Sequence, residues 1–365
     1  MPFDTGTVNF QVCKLPEGVP KDILSHFPRA AGGPLENIRD EPRLGWVSGR
    51  HLLETRIDEE TARCGGYLHL CLREAVRKIP TSLFKAQCRM AELKIMADEG
   101  KEELSRKRRQ QIRQEVHAQL LPEMPPQLKG INFVIDHNTD RLYIAATSTK
   151  QLDTFLEFFI QNVGLVPTAL FPNELAEELK GDGASQVQPL VFSEQVEEAS
   201  YDLRLGHTFL TWLWYKIYRQ NGKFTTKQLG EIHIGMDGPI VLVAPEEEQG
   251  QELTLRKGAP PGSSEAKKAL EVGKKLRRAK FMIGCRQNPN AVWEGSIDMD
   301  NCSFRSFKLP ESESLDTDSV FEDRINRIHD LYTVFRELFT LFLDDVTEPA
   351  RLKEVQKDVY QWVKE

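Results

Sequence analysis

Apolar and polar positions set a period of two in several short stretches of the chain and a period near 3.6 in others. Residues 8–15 alternate and predict a strand, and residues 66–75 do the same. In the latter, Tyr67, His69, Cys71 and Arg73 lie on one side and Leu68, Leu70 and Leu72 on the other. A short helix is expected over 20–27 and a brief extended piece over 44–47. From 81 to 121 there is no proline and only one glycine, Gly100. One helix over that stretch would be about 60 Å long. Gly100, beside Asp98 and Glu99, predicts two helices with a break instead. Pro122, Pro125 and Pro126 end the second.

Strands over 131–135 and 141–145 follow, joined by a turn at 137–140. Residues 151–163 place Leu152, Phe155, Leu156, Phe159 and Val163 at helical spacing, and 166–171 reads as a further strand. The small and polar stretch 181–188 reads as a linker. Beyond it, 205–219 is a strongly apolar helix. Strands are expected over 231–234 and 240–243, joined across Asp237-Gly238, and over 252–256. Ser263 or Ser264 caps a helix expected to run to about Ala279. Strands over 278–285, 292–298 and 303–309 and helices over 319–344 and 349–363 complete the reading. The fold class is α+β, with mixed or antiparallel sheets and a long helical arm. The expected divisions are a central α+β unit from 1–79 and 130–180, the arm over 80–129, a second α+β unit over 190–310, and C-terminal helices over 311–365.

Composition adds constraints. Apolar residues make up 40% of the chain, enough for packed cores. Lys plus Arg is 48 against 55 Asp plus Glu, a net charge of −7, so any contact with nucleic acid must use local patches. None of the six cysteines forms a C-x-x-C pair, and a reducing compartment is expected. The first residues carry no secretory pattern, and apolar runs fall far short of the roughly 20 residues that span a bilayer. A cytoplasmic protein without membrane contact is the expectation.

Chemical motifs are sparse. There is no P-loop, no dinucleotide-binding glycine pattern, no nucleophile elbow and no H-E-x-x-H. None of the eight histidines has a histidine four residues on. Asp136 with Asp140, and His233 with Asp237, flank expected turns, where Asx residues belong for hydrogen-bonding reasons alone. No cofactor, metal or catalytic residue is expected. The positive signal is charge segregation. Arg106, Lys107, Arg108, Arg109 and Arg113 lie in an acid-free stretch. Arg256 and Lys257 precede a second basic stretch with Lys267, Lys274, Lys275 and Arg278. There Ala269, Val272, Leu276 and Ala279 would line one helix face and leave the bases to solvent. Such strips suit phosphate backbones and carry no base-reading logic. The aromatic run 209–215 is read as core rather than as a stacking platform.

Several short motifs, in order, resemble the recombination-associated RdgC family. The most specific is Glu115-Val116-His117-Ala118-Gln119-Leu120-Leu121-Pro122. It is followed by Phe133-Val134-Ile135-Asp136, Leu142-Tyr143-Ile144, the run from Ala145 to Lys150, and Gly164-Leu165-Val166-Pro167. Upstream, Leu44-Gly45-Trp46-Val47 and Arg77-Lys78-Ile79-Pro80 are similar. The match is best over 44–172 and looser over 205–310. The resemblance implies a non-enzymatic protein that binds single- and double-stranded DNA without marked sequence preference. It further implies a homodimer forming a ring around duplex DNA, restraint of RecA-driven recombination, and association with the nucleoid. Where the family often continues Arg-Ala-Phe, this chain reads Glu123-Met124-Pro125, so Met124 or Leu128 would supply the apolar dimer contact. Two other classes stay open. One is a metal-dependent DNA-processing enzyme using Asp136, Asp140, Asp237 and Asp298. The other is a protein-interaction scaffold that does not touch DNA.

Overall fold

A computed structural model of the chain describes residues 2–194, 204–244, 252–256 and 258–365. The first strand, β1 (Val8–Lys14), occupies the middle of one long sheet. The next elements are β2 (Arg43–Ser48), a one-turn helix α1 (Glu59–Ala62), the short β3 (Arg63–Cys64) and β4 (Tyr67–Arg77). Helices α2 (Thr81–Glu99) and α3 (Arg106–Leu120) leave the sheet and return to it at β5 (Pro126–Asp136). Then come β6 (Arg141–Ile144), α4 (Thr149–Val163), β7 (Thr168–Ala169) and α5 (Pro172–Lys180).

The second part of the chain runs through α6 (Leu205–Arg219), β8 (Lys223–Thr226), β9 (Gly230–Val243) and β10 (Leu253–Leu255). It continues with α7 (Ser264–Glu271), β11 (Lys275–Cys285), β12 (Val292–Asp298) and β13 (Ser303–Lys308). It closes with α8 (Thr317–Thr347) and α9 (Pro349–Lys364).

The sheet runs β10-β9-β11-β12-β13-β1-β6-β5-β4-β2, with β3, β7 and β8 attached at β4, β1 and β9. All these pairings are antiparallel. β1 divides its own length between the two sides. Val8 and Phe10 pair with β13, whereas the stretch from Gln11 to Lys14 pairs with β6.

Side-chain alternation builds two apolar layers. On one face of the β2–β6 region, Trp46, Leu70, Phe133, Ile135 and Leu142 meet Leu152, Phe155 and Phe159 of α4 and Phe27 of a preceding 3-10 turn. On the opposite face, Phe10, Val134 and Tyr143 join Phe281, Trp293 and Phe304 from the β9–β13 region. Helices α6, α8 and α9 cover that face with Phe209, Trp212, Phe335, Phe339 and Trp362. The 209–215 aromatic run is therefore core, as its spacing suggests. Among the described residues no helix covers the other face of β9–β13, which presents His233, Lys280, Met282, Glu294 and Arg305 at least partly to solvent.

Three expected elements differ. The helix expected to reach Ala279 stops at Glu271. Gly273 takes φ 84°, and the Lys274 amide closes onto the Ala269 carbonyl at 2.9 Å. That left-handed closure suits glycine and ends a helix. Leu276 and Ala279 are buried, but as strand residues of β11, and Val272 is exposed. The hairpin expected across Asp237-Gly238 is instead one strand, β9, whose register against β11 shifts between Asp237 and Val241. The strand expected over 166–171 shrinks to β7, because Pro167 lacks a donor and Pro172 opens α5. Glu246-Glu247-Glu248, an acidic run that reads as a solvated loop in the sequence, lies outside the described residues.

Charge is also buried at the junction of the layers. Oε1 of Glu178 in α5 accepts from Arg141 of β6 and Arg336 of α8, each at 3.0 Å, and lies 3.7 Å from the Lys14 ammonium of β1. Removing one partner of such a cluster leaves cations without compensation and costs about 3 kcal/mol or more. Glu178→Gln is therefore expected to lower the unfolding free energy by about 3 kcal/mol in a urea titration.

His69 sits buried among Phe3, Phe321 and Gly49, and burial pushes its pKa down to about 3. Burial also lowers His137 and His329. Below the unfolded value near 6.5, the unfolded chain takes up these protons first. Stability is complete above about pH 6.5 and is lost as pH falls toward 3. In the wild type His69 contributes a slope of about 1.4 kcal/mol per pH unit in that window. His69→Gln should remove this contribution from stability measured between about pH 6.5 and 5, whatever its effect on absolute stability.

Candidate nucleic-acid interface

The arm is a helical hairpin with its own small core. Cys88, Leu104, Ile112 and Val116 are buried there, and Phe84, Ile95, Met96 and Leu120 pack beside them. Gly100 takes φ 63° and closes α2, with the Lys101 amide on the Met96 carbonyl at 3.0 Å. Ser105 opens α3 by accepting from the Arg108 amide at 3.3 Å. The break expected at Gly100 thus has a physical form: a left-handed cap, a short acidic turn and an N-cap serine. At the base, the Arg77 guanidinium donates to the carbonyls of Leu35, Ile38, Pro122 and Met124. It ties the returning chain to the loop that precedes β2.

Ile112 and Val116 turn one stripe of α3 inward, and this sets where the bases point. Arg106, Arg109 and Arg113 are spaced i, i+3, i+7 and form one stripe beside it, all three exposed. Over seven residues that stripe covers about 10 Å of helix, about three base-pair steps of duplex at 3.4 Å each. Lys107 is exposed on another side. Arg108 leans on Glu115 at 3.5 Å. Among the described residues, Arg106, Lys107, Arg109 and Arg113 have no carboxylate within ion-pair distance. Four exposed cations on one helix without compensation form an electrostatic footprint for a polyanion.

The second basic stretch is dispersed by the early end of α7. The Lys275 side chain is buried and donates to Thr208 Oγ1 at 2.9 Å, so it is removed from the surface set. It sits beside α6 because β11 has already begun. Lys267 is half-buried, donates to the Trp362 carbonyl and lies 4.0 Å from the Trp362 ring centroid. Burial lowers its pKa to about 8, so it serves the α7–α9 contact rather than an open surface. Arg278 faces Asp298 at 3.7 Å, and Arg305 faces the same carboxylate at 3.3 Å. Lys274 lies half-buried in the turn after α7. Arg256 is exposed beside β10, and Lys257 lies outside the described residues. The presentation of Lys267, Lys274, Lys275 and Arg278 along one solvent-facing helix is therefore replaced by four separate environments.

Met124 and Leu128 are half-buried where the arm rejoins the sheet, with Leu128 paired to Ala75 in β4. Both lie at the base of the hairpin, at the end opposite its Gly100 turn.

The carboxylates nominated for metal chemistry are engaged locally. Asp136 accepts from the Asn138 amide at 2.8 Å and the Thr139 hydroxyl at 2.6 Å. Asp140 accepts from the Val19 amide at 2.8 Å, and Asp237 from the Gly238 amide at 2.7 Å. Asp298 holds Arg278 and Arg305. Among the described residues, no three His, Cys, Asp or Glu side chains converge as a metal site. No described helix is long and apolar enough to cross a membrane.

One feature of this surface is not apparent in the sequence pattern. A half-open groove of about 720 Å³ lies on the uncovered face of the sheet, between β8, β9 and the end of β11. Lys223, His233 and Arg286 line it. They lie far apart in the chain and meet only through strand register.

Residues 34–179 match the model of a protein family described as "Putative exonuclease, RdgC". That span includes β2 to α5 and the whole arm, with the α3 stripe inside it. No curated protein matches the chain.

Proposed function

We propose that this protein, which belongs to the RdgC family on the strength of residues 34–179, is a recombination-associated protein that grips DNA through the arm without reading its sequence. The observation that carries this reading is the exposed, uncompensated stripe of Arg106, Arg109 and Arg113, with Lys107 beside it. Guanidinium groups bind phosphate oxygens well, and a row of them on a helix engages the backbone of single- or double-stranded DNA. Arg108 is held by Glu115 and contributes less. Arg256 is a secondary candidate on the distant part of the sheet, whereas Arg278 is held by Asp298 and contributes little. In this reading the protein acts as a homodimer that encloses duplex DNA, associates with the nucleoid in the cytoplasm, and restrains RecA-driven strand exchange. Met124 and Leu128 remain the proposed apolar dimer contact, now at the base of the arm.

The role we propose is binding and not hydrolysis. The description of the matched family supports a second reading, cleavage from a DNA end. Against it stand Asp136, Asp140, Asp237 and Asp298, which are committed to turns and to arginines rather than grouped around one point. Incubating end-labelled linear DNA with the protein and magnesium or manganese is expected to leave the label at full length. Progressive shortening would establish the exonuclease reading.

The binding reading predicts a specific salt signature. Each phosphate contact contributes about 0.9 to the slope of log affinity against log salt concentration. The triple variant Arg106→Ala, Arg109→Ala, Arg113→Ala is therefore expected to bind duplex DNA more weakly at every sequence and to lower that slope by about 2.7. An unchanged slope would place the DNA elsewhere on the protein, and no binding by the wild type at low salt would leave the scaffold reading.

A further inference from the structure

From the groove on the uncovered sheet face we infer a second site, which accepts one nucleoside phosphate unit, as the end of a single strand or as a free nucleotide. The inference extends the DNA-binding reading to a place far from the arm. Seven strand positions separate β9 from β4 in the sheet order, about 33 Å at the usual strand spacing.

Strand register builds the site. Lys223 of β8 is opposite His233 of β9, His233 is opposite Gly284 of β11, and Gly284 is opposite Val292 of β12. These four form one row across the sheet. Gly284 is the low point of the row, since a Cβ placed there meets no atom within 4 Å. His233 and Val292 stand two strand spacings apart, about 10 Å between backbones, with bare backbone between them. A slot of that width admits one planar ring, with the imidazole as a stacking surface. The imidazole is itself held in place. Gly222 takes φ 72°, and a Cβ there would lie 2.8 Å from His233 Nε2, so the ring rests directly on the glycine backbone.

The neighbouring row supplies the charge. Thr225 is opposite Glu231, and the Arg286 amide donates to the Glu231 carbonyl at 3.0 Å. Arg286 lies two residues beyond Gly284, about 7 Å along the strand, which suits the distance from a base to its own phosphate. Its guanidinium pairs with Glu231, but both side chains are more than half exposed, at 77% and 57%. A pair that open to water is worth little and can be exchanged for a phosphate. Lys223 lies on the same side. Two lysine or arginine cations and one carboxylate leave the groove with an excess of positive charge. The site has a bare glycine floor, an aromatic wall and a cationic end, which matches a nucleotide better than a simple inorganic anion. Nothing in it distinguishes one base from another.

The test uses the full chain and calorimetric titration with three probes: 5′-phosphorylated oligothymidylate, the same oligomer without the phosphate, and thymidine 5′-monophosphate. Gly284 allows clean variants, because its Cβ direction is open and its φ is ordinary. Gly284→Leu fills the slot and Gly284→Ala barely alters it. The phosphorylated oligomer is expected to bind about tenfold more tightly than the unphosphorylated one, as one charged contact allows. Gly284→Leu should lose about tenfold or more of that affinity through lost stacking, with Gly284→Ala near wild type. Binding of the monophosphate alone, lost in Gly284→Leu, would support the site with a free nucleotide as its ligand.

The inference is overturned if neither phosphorylated probe binds, if the phosphate makes no difference, or if Gly284→Leu binds as the wild type does. Duplex affinity of Gly284→Leu reports the arm separately. If the wild type fails to bind duplex while Gly284-dependent binding of a phosphorylated probe persists, the groove stands and the arm reading falls.

Discussion

The architecture depends on how β1 shares its hydrogen bonds. Its first residues complete the ladder of β13 and its last complete that of β6, so seven residues near the N-terminus hold together strands more than 150 residues apart in the chain. The strand is buried on both faces, with Val8, Phe10 and Val12 in one apolar layer and Cys13 in the other. Val8, Phe10, Val12 and Cys13 are all buried accordingly. The Glu178 cluster sits at the same junction, where Lys14 of β1 and Arg141 of β6 meet α5 and α8. The two parts of the sheet thus share one apolar core beneath α6, α8 and α9, and the arm stands on a small core of its own.

That separation bears on function. A helical hairpin with a four-residue buried core contributes little to the stability of the sheet, and its surface is available for other work. Its inward stripe of Ile112 and Val116 fixes the rotation of α3 and thereby the direction of Arg106, Arg109 and Arg113. Charge alone would not distinguish these three from Lys275 or Arg278. What distinguishes them is that, among the described residues, no carboxylate compensates them: Lys275 is taken up by Thr208 and Arg278 by Asp298, whereas the stripe faces water.

Much of this was legible in the sequence where local physics decides. Gly100 and Ser105 mark the turn of the arm, the spacing of Leu152, Phe155 and Phe159 marks α4, and the aromatic run of α6 reads as core. The failures share a cause. Ala269, Val272, Leu276 and Ala279 mimic one helix face, yet Gly273 ends the helix, and Leu276 and Ala279, three residues apart, reach the same core from β11 because the strand register shifts between them. Asp237-Gly238 has turn composition, but long-range pairing with β11 carries the strand through it. The groove over Gly284 was invisible because its row of residues comes from β8, β9, β11 and β12, and register between distant strands is set by tertiary packing.

The most direct test of the central claim is arginine footprinting. Side-chain modification by an arginine-selective reagent would be quantified by mass spectrometry, with and without a saturating short duplex at low salt. The account predicts protection of Arg106, Arg109 and Arg113 on bound DNA, with Arg278 and Arg305 unchanged beside Asp298. Equal modification of the three arm arginines in free protein and in protein retained on DNA would contradict it.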